Sequence, residues 1–199
     1  MIKLYSGTTE IYSHCCRFAL NEKEIEFQII DVDVLGNPEE LALINPYMKV
    51  PVLVHRDAVL SEANIINEYI DERFPQIQLM SLDPVIRARV RMILYRIEKE
   101  LFCHIDAIEH AQAKVADKAR LTMLENLTSI SGMLGKQKFI LGAAFSMPDA
   151  VLAPLLWRLD HYGVKLGSDA LPLVQYAERM FARPAFVKSM TSAEKAMRK

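Results

Sequence analysis

The side chains able to do chemistry crowd the first sixteen residues. Hydroxyls stand at Tyr5, Ser6, Thr8, Thr9, Tyr12 and Ser13, a carboxylate at Glu10, an imidazole at His14 and adjacent thiols at Cys15 and Cys16. A hydroxyl or thiol attacks only when a base or a lowered pKa activates it. His14 is the one base in reach, but neighbouring residues on a helix point about 100° apart, so it does not face Cys15. Packing is the favoured role for both. There is no Cys-x-x-Cys spacing, and the Cys15–Cys16 pair suits neither a metal site nor an unstrained disulfide. Glu10 works against thiol chemistry: a carboxylate beside a thiol raises its pKa and cannot itself act as a thiol nucleophile. At a helix start it is favoured by the macrodipole instead.

A second group runs from Asn45 to Ala63. Pro51 has no N–H and pushes Val50 into an extended conformation, which suits the first position of a strand. With the Val50–Pro51 bond in the cis form, the Val50 N–H and C=O turn outward, where an extended thiol peptide can pair with them. Glu62, at the start of the next element, is placed to meet the charged end of that peptide.

The elements that must position these groups follow from periodicity. Ile2–Ser6 reads as a strand, Ser13–Asn21 as a helix, Ile25–Val34 as a strand and Pro38–Ile44 as a short helix. Val52–Val54 and Ala58–Leu60 form a hairpin around His55-Arg56-Asp57, and Ser61–Arg73 is an amphipathic helix with Ile65, Ile66, Tyr69 and Ile70 inward. This is a βαβαββα unit. Residues 74–80 lack any period, and Pro75 and Pro84 are stop signals, so 75–83 is taken as a linker between domains 1–74 and 84–199. Helices are expected at about 84–110, 115–134, 147–162, 170–182 and 191–198.

The chain has 199 residues, 51% of them apolar, enough to bury a core without a metal or disulfide. Three cysteines, two of them adjacent, favour reduced thiols. Neither a signal leader nor an apolar run of about 18 residues is read, so a soluble cytoplasmic protein is expected. The net charge of −1 conceals two opposed halves: residues 1–83 hold 14 acidic and 6 basic residues, and 84–199 hold 11 and 18. Opposed halves suit a dimer better than nucleic acid, because a pI near 6.5 is far from a nucleic-acid binder's. Arg87, Arg89, Arg91 and Arg96 form a basic run in which Arg87 and Arg91 share a face and Arg89 lies opposite, which fits a solvated or dimer-facing helix better than a polyanion site. Ser146-Met147-Pro148-Asp149 is a capping-box variant, so Asp149 is assigned to folding. The ten methionines suit adaptable core filling.

A thioredoxin-like βαβαββα domain (α/β) followed by an all-α domain resembles the glutathione transferase superfamily over essentially the whole chain. Four blocks are similar to one branch of it, the stringent starvation regulators that associate with bacterial RNA polymerase. These are Ile11-Tyr12-Ser13-His14, residues 65–75, Tyr95-Arg96-Ile97-Glu98-Lys99 and residues 152–159. The resemblance places the superfamily's thiol-activating position near Glu10. It implies a vestigial glutathione-like pocket at Glu10, Tyr12, Lys49, Val50, Pro51, Glu62 and Ala63, where Ala63 replaces the usual serine, so that any glutathione binds weakly and no cofactor is needed. It also implies a partner surface at Pro75, Gln76, Ile77, Leu79 and Met80, where relatives carry Pro-His-Pro and this chain has Pro75-Gln76-Ile77. The function implied is a non-catalytic homodimeric regulator that meets RNA polymerase and its sigma factor. The alternative is a glutathione-dependent transferase or reductase using Ser6, Thr9 or Ser13, and a polyanion-binding adaptor is a third reading.

Overall fold

The computed structural model describes residues 1–32 and 39–198. Along the chain come β1 (Ile2–Ser6), α1 (Ile11–Glu22), β2 (Phe27–Asp31), α2 (Glu39–Ile44), β3 (Val52–His55), β4 (Ala58–Ser61) and α3 (Ala63–Arg73). They are followed by α4 (Pro84–Glu100), α5 (Ile105–His110), α6 (Ala113–Leu134), α7 (Met147–Trp157), α8 (Leu159–Tyr162), α9 (Leu171–Phe181), α10 (Pro184–Ser189) and α11 (Ser192–Lys195). The α/β plus all-α class expected from the sequence is the one observed. Of the expected elements, Asp33 and Val34 of the second strand and Pro38 of the helix lie outside the described residues.

Two compact units divide the chain, with the first division inside the linker expected over 75–83 and a departure from the expected domains at the C-terminal end. The first is Met1–Leu79 together with Pro184–Ala196, and the second is Met80–Arg183 with the residues from Met197. The domain expected over 84–199 therefore gives its last helices, α10 and α11, to the N-terminal unit. The reason is a break in the chain: α9 stops at Phe181 and Pro184 starts a new helix, whose Phe186 is fully buried against Phe18 and His14 of α1.

In the first unit the sheet order is β2-β1-β3-β4, with β1 and β2 parallel and the other pairs antiparallel. Strand alternation separates the two faces. Ile2, Leu4 and Leu53 pack with Cys16 and Leu20 of α1 and with Ala63, Ile66 and Ile70 of α3, whereas Tyr5 and Val52 pack with Leu41 of α2. Ile65, expected inward, is 57% exposed; the stripe that faces the core is Ala63, Ile66, Asn67, Ile70 and Asp71. The register pairs Val52 with both Tyr5 and Ser61, so three segments emerge at one end of the sheet: the turn after β1, the segment before β3 and the start of α3. That end gathers the chemistry.

In the second unit α7 is apolar except at Asp149 and buried throughout except at Trp157. Asp149 accepts from the Ser146 amide at 2.9 Å, as the capping-box reading requires, and also from the Ile140 amide at 3.0 Å and the Tyr176 hydroxyl at 2.7 Å. The single helix expected over 147–162 breaks after Trp157, and α8 ends at Gly163, whose φ of 70° closes the helix in a left-handed turn. Likewise 84–110 divides into α4, a short 3₁₀ turn and α5. No helix among the described residues is long and apolar enough to cross a membrane, and no cluster of metal-binding side chains occurs among them.

Candidate functional site

Glu10 is the N-cap of α1. Its Oε1 accepts from the Tyr12 amide at 2.9 Å and its Oε2 from the Ser13 amide at 2.6 Å. Both carboxylate oxygens are thus committed to orphan donors at the positive end of the helix. Gly7 lies directly against this side chain: a Cβ built on Gly7 would come within 2.7 Å of the Glu10 Cβ and 3.1 Å of Val50 Cγ2. The hydroxyls around it also have structural duties. Ser13 Oγ accepts from the Gly7 amide at 3.1 Å, and Ser6 Oγ donates to the Gly7 carbonyl while accepting from Arg17. Cys15 and Cys16 are fully buried. Burial first, then the neighbouring Cys15 and Glu10, push the Cys16 thiol well above its ordinary pKa, so it stays protonated.

His14 does not serve Cys15. Its ring lies 2.9 Å from Ser189 Oγ through Nε2 and 3.5 Å from Glu194 Oε1 through Nδ1. Serine, imidazole and carboxylate sit within reach of one another, yet Ser189 is 2% exposed and the other two are fully buried. The Ser189 hydroxyl donates its proton to the Phe186 carbonyl at 2.7 Å. It is thus turned away from His14. The trio ties the C-terminal segment to α1, a role that sequence reading missed. The signal was present in Thr191-Ser192-Ala193-Glu194, a full capping box whose Glu194 also takes Arg17 through both oxygens at 2.7 Å.

The segment expected to dock a thiol peptide lies at the entrance to β3. The Val50–Pro51 bond is cis, Pro51 is buried and Val50 half-buried. The approach to it is set by Asn45, whose side chain donates to the Lys49 carbonyl at 2.8 Å and accepts from the Tyr47 amide at 3.1 Å. Lys49 is exposed and Tyr12 is half-buried against the sheet core. Ala63 belongs to that core, and its carbonyl accepts from Cys16 Sγ at 3.8 Å. Glu62 is not the capping acid its position suggests: it makes no side-chain cap bond, is exposed, and has φ of 69°. A non-glycine residue held there is strained, and such strain collects at binding sites. This end of the sheet therefore carries an outward carboxylate at Glu62, while the carboxylate at the start of α1 is spent on backbone amides.

The loop after α3 is divided. Pro75, Gln76 and Ile77 are exposed, but Leu79 and Met80 are each only 3% exposed. The partner surface expected at Pro75, Gln76, Ile77, Leu79 and Met80 is therefore reduced to its first three residues, because the chain turns inward at Leu79, whose amide donates to Asp71 Oδ1 at 2.8 Å. Beside the loop lies a cleft of about 480 Å³ lined by Met1, Ile25, His55, Phe74 and Ile77 among others. His55 Nδ1 pairs with the Tyr69 hydroxyl at 2.9 Å, and burial, then the charges of Arg56 and Arg73, lower its pKa. Lys23, Asp71 and His55 shape this surface, and their spacing in the sequence carries no sign of it.

Family models for the N-terminal and C-terminal domains of glutathione S-transferase match residues 1–72 and 89–184. A glutathione transferase structure from Methylococcus capsulatus superposes with a TM-score of 0.88 at 24% identity, covering 98% of this chain and 100% of that one. Fold and domain models thus define a protein of the glutathione transferase superfamily. Within that class, human glutathione S-transferase omega-2 is 29% identical over 82% of this chain and 69% of its own length. A stringent starvation protein A homologue of Coxiella burnetii is 37% identical over 199 residues, all of this chain and 95% of that one. The chain belongs to the stringent starvation protein A family.

Proposed function

We propose that this protein is a non-catalytic regulator of transcription that binds RNA polymerase holoenzyme, through its housekeeping sigma factor, in the starved or stressed bacterial cytoplasm. The observation that carries this reading is Glu10: the residue at the start of α1 is a carboxylate with both oxygens fixed on backbone amides. Glu10 itself offers a thiol neither a hydrogen to donate nor a nucleophile. Family membership supplies the direction, and the exposed Pro75, Gln76 and Ile77 supply a surface. The protein acts as a homodimer; Val85, Met92 and Tyr95, each more than 60% exposed, recur at helical spacing along α4 and offer an apolar stripe to a second copy. Affinity purification of the tagged protein from starved cells is expected to recover polymerase subunits. Native purification without them would sink the proposal.

One observation favours a second reading. Glu62 is exposed and strained at the start of α3, where a peptide's amino end would meet it. That supports weak glutathione binding, and with it a transferase or thiol reductase. Calorimetry with reduced glutathione decides the point, since heat that does not saturate ends this alternative.

A further inference from the structure

The surface proposed to meet the partner is shaped from inside. Lys23, the residue immediately after α1, is fully buried in its side chain, and its ammonium has three hydrogens to place. They go to Asp71 Oδ1 at 2.7 Å, the Ile77 carbonyl at 2.9 Å and the Gln76 carbonyl at 3.0 Å. The same Asp71 oxygen accepts from the Leu79 amide at 2.8 Å. One buried ion pair therefore grips the loop at residues 76, 77 and 79. Between those grips Ile77 has φ of 55° and is 46% exposed. A β-branched residue takes that conformation only where its surroundings impose it. A large apolar side chain is thus displayed to solvent on a strained backbone, and the strain is held by a side-chain pair that is itself almost wholly buried.

We propose that the Lys23–Asp71 pair is a positioning device for the docking loop: it presets residues 75–78 so that Ile77 is displayed before the partner arrives. The proposal rests on the polymerase-binding reading and adds to it how the surface is prepared. A preset loop binds more tightly because the competent shape need not be selected from many, and apparent affinity falls in proportion to the competent fraction.

The test uses the full chain carrying Lys23→Met together with Asp71→Leu. Changing one partner alone would leave a buried charge, whereas replacing both with apolar side chains spares the fold. Hydrogen exchange is expected to rise about tenfold or more at Leu79 and its neighbouring loop amides, with α1 and α3 amides unchanged. Affinity for polymerase holoenzyme is expected to fall roughly tenfold, as it would if the loop held the competent shape a tenth of the time. Ile77→Ala keeps the grips and should lose affinity without any rise in loop exchange. Unchanged loop exchange in the paired variant, or faster exchange with wild-type affinity, overturns the positioning role alone. Failure of the wild type to bind polymerase overturns the functional reading, and the docking role with it.

Discussion

Glu10 and a thiol-activating residue make opposite demands on the same turn. An activating group must present a donor or a positive field to sulfur, whereas Glu10 presents negative charge and uses the helix's own positive end to stabilise it. Its structural contribution is measurable. Glu10→Ala removes the acceptor for two amides and is expected to cost about 0.5–2 kcal/mol, while Glu10→Ser, which keeps a capping oxygen, costs less. A Glu10→Ala denaturation midpoint equal to the wild type's would show that the cap contributes nothing. His55 gives a second expectation at this scale. Burial, followed by Arg56 and Arg73, holds its folded pKa below the ordinary 6.5. The unfolded chain then takes up the proton first, so His55 contributes stability that is complete above pH 6.5 and is lost as pH falls from 6.5 toward the depressed folded value. His55→Gln keeps a partner for Tyr69 and removes the titration. The drop in Tm between about pH 7.5 and pH 5.5 should shrink in that variant, and an undiminished drop would assign the acid sensitivity to other groups.

Elements differ in how far their sequences disclose them, and the division follows range. The cap at Asp149 was legible because Ser146, Pro148 and Asp149 lie within four residues and meet within one turn. Its remaining partner was not: Tyr176 lies 27 residues away and reaches the carboxylate only through the packing of α9 against α7. Ile65 was misassigned for a related reason. Amphipathic spacing finds a helix but leaves its rotation free by about a residue, and the chemistry of Asn67 and Asp71, both buried, argued for the wrong face. The Asp149–Tyr176 bond tests what the long-range half contributes. Tyr176→Phe removes a hydroxyl that is buried with its acceptor, and the cost is expected to be about 1–3 kcal/mol with an unchanged denaturant m value. A cost below about 0.5 kcal/mol would mean that the Ile140 and Ser146 amides satisfy Asp149 without it.

At the scale of the whole molecule, the chain's end completes its beginning. Arg17 is 1% exposed and distributes its donors over Glu194 through both carboxylate oxygens, the Ser189 carbonyl at 2.8 Å, Ser6 Oγ and the Gly7 carbonyl at 3.2 Å. Thr191 Oγ1 adds a bond to the Thr8 carbonyl at 2.8 Å. The turn that carries Glu10 is thus fixed by residues nearly two hundred positions away, so the N-terminal unit cannot be cut out as residues 1–79 and keep its core. A buried guanidinium without its carboxylate has no compensation, and breaking such a pair costs about 3–5 kcal/mol. Glu194→Ala is therefore expected to lower Tm by about 10 °C or more, since each kcal/mol shifts a unit of this size by several degrees. Truncation after Arg183 should go further, because it also opens the Phe18 face that Phe186 covers. Pairing Glu194→Leu with Arg17→Met replaces both charges by apolar side chains and should recover much of the loss. If the single variant melts with the wild type, or the pair melts no higher than the single, the C-terminal segment is not what holds the turn.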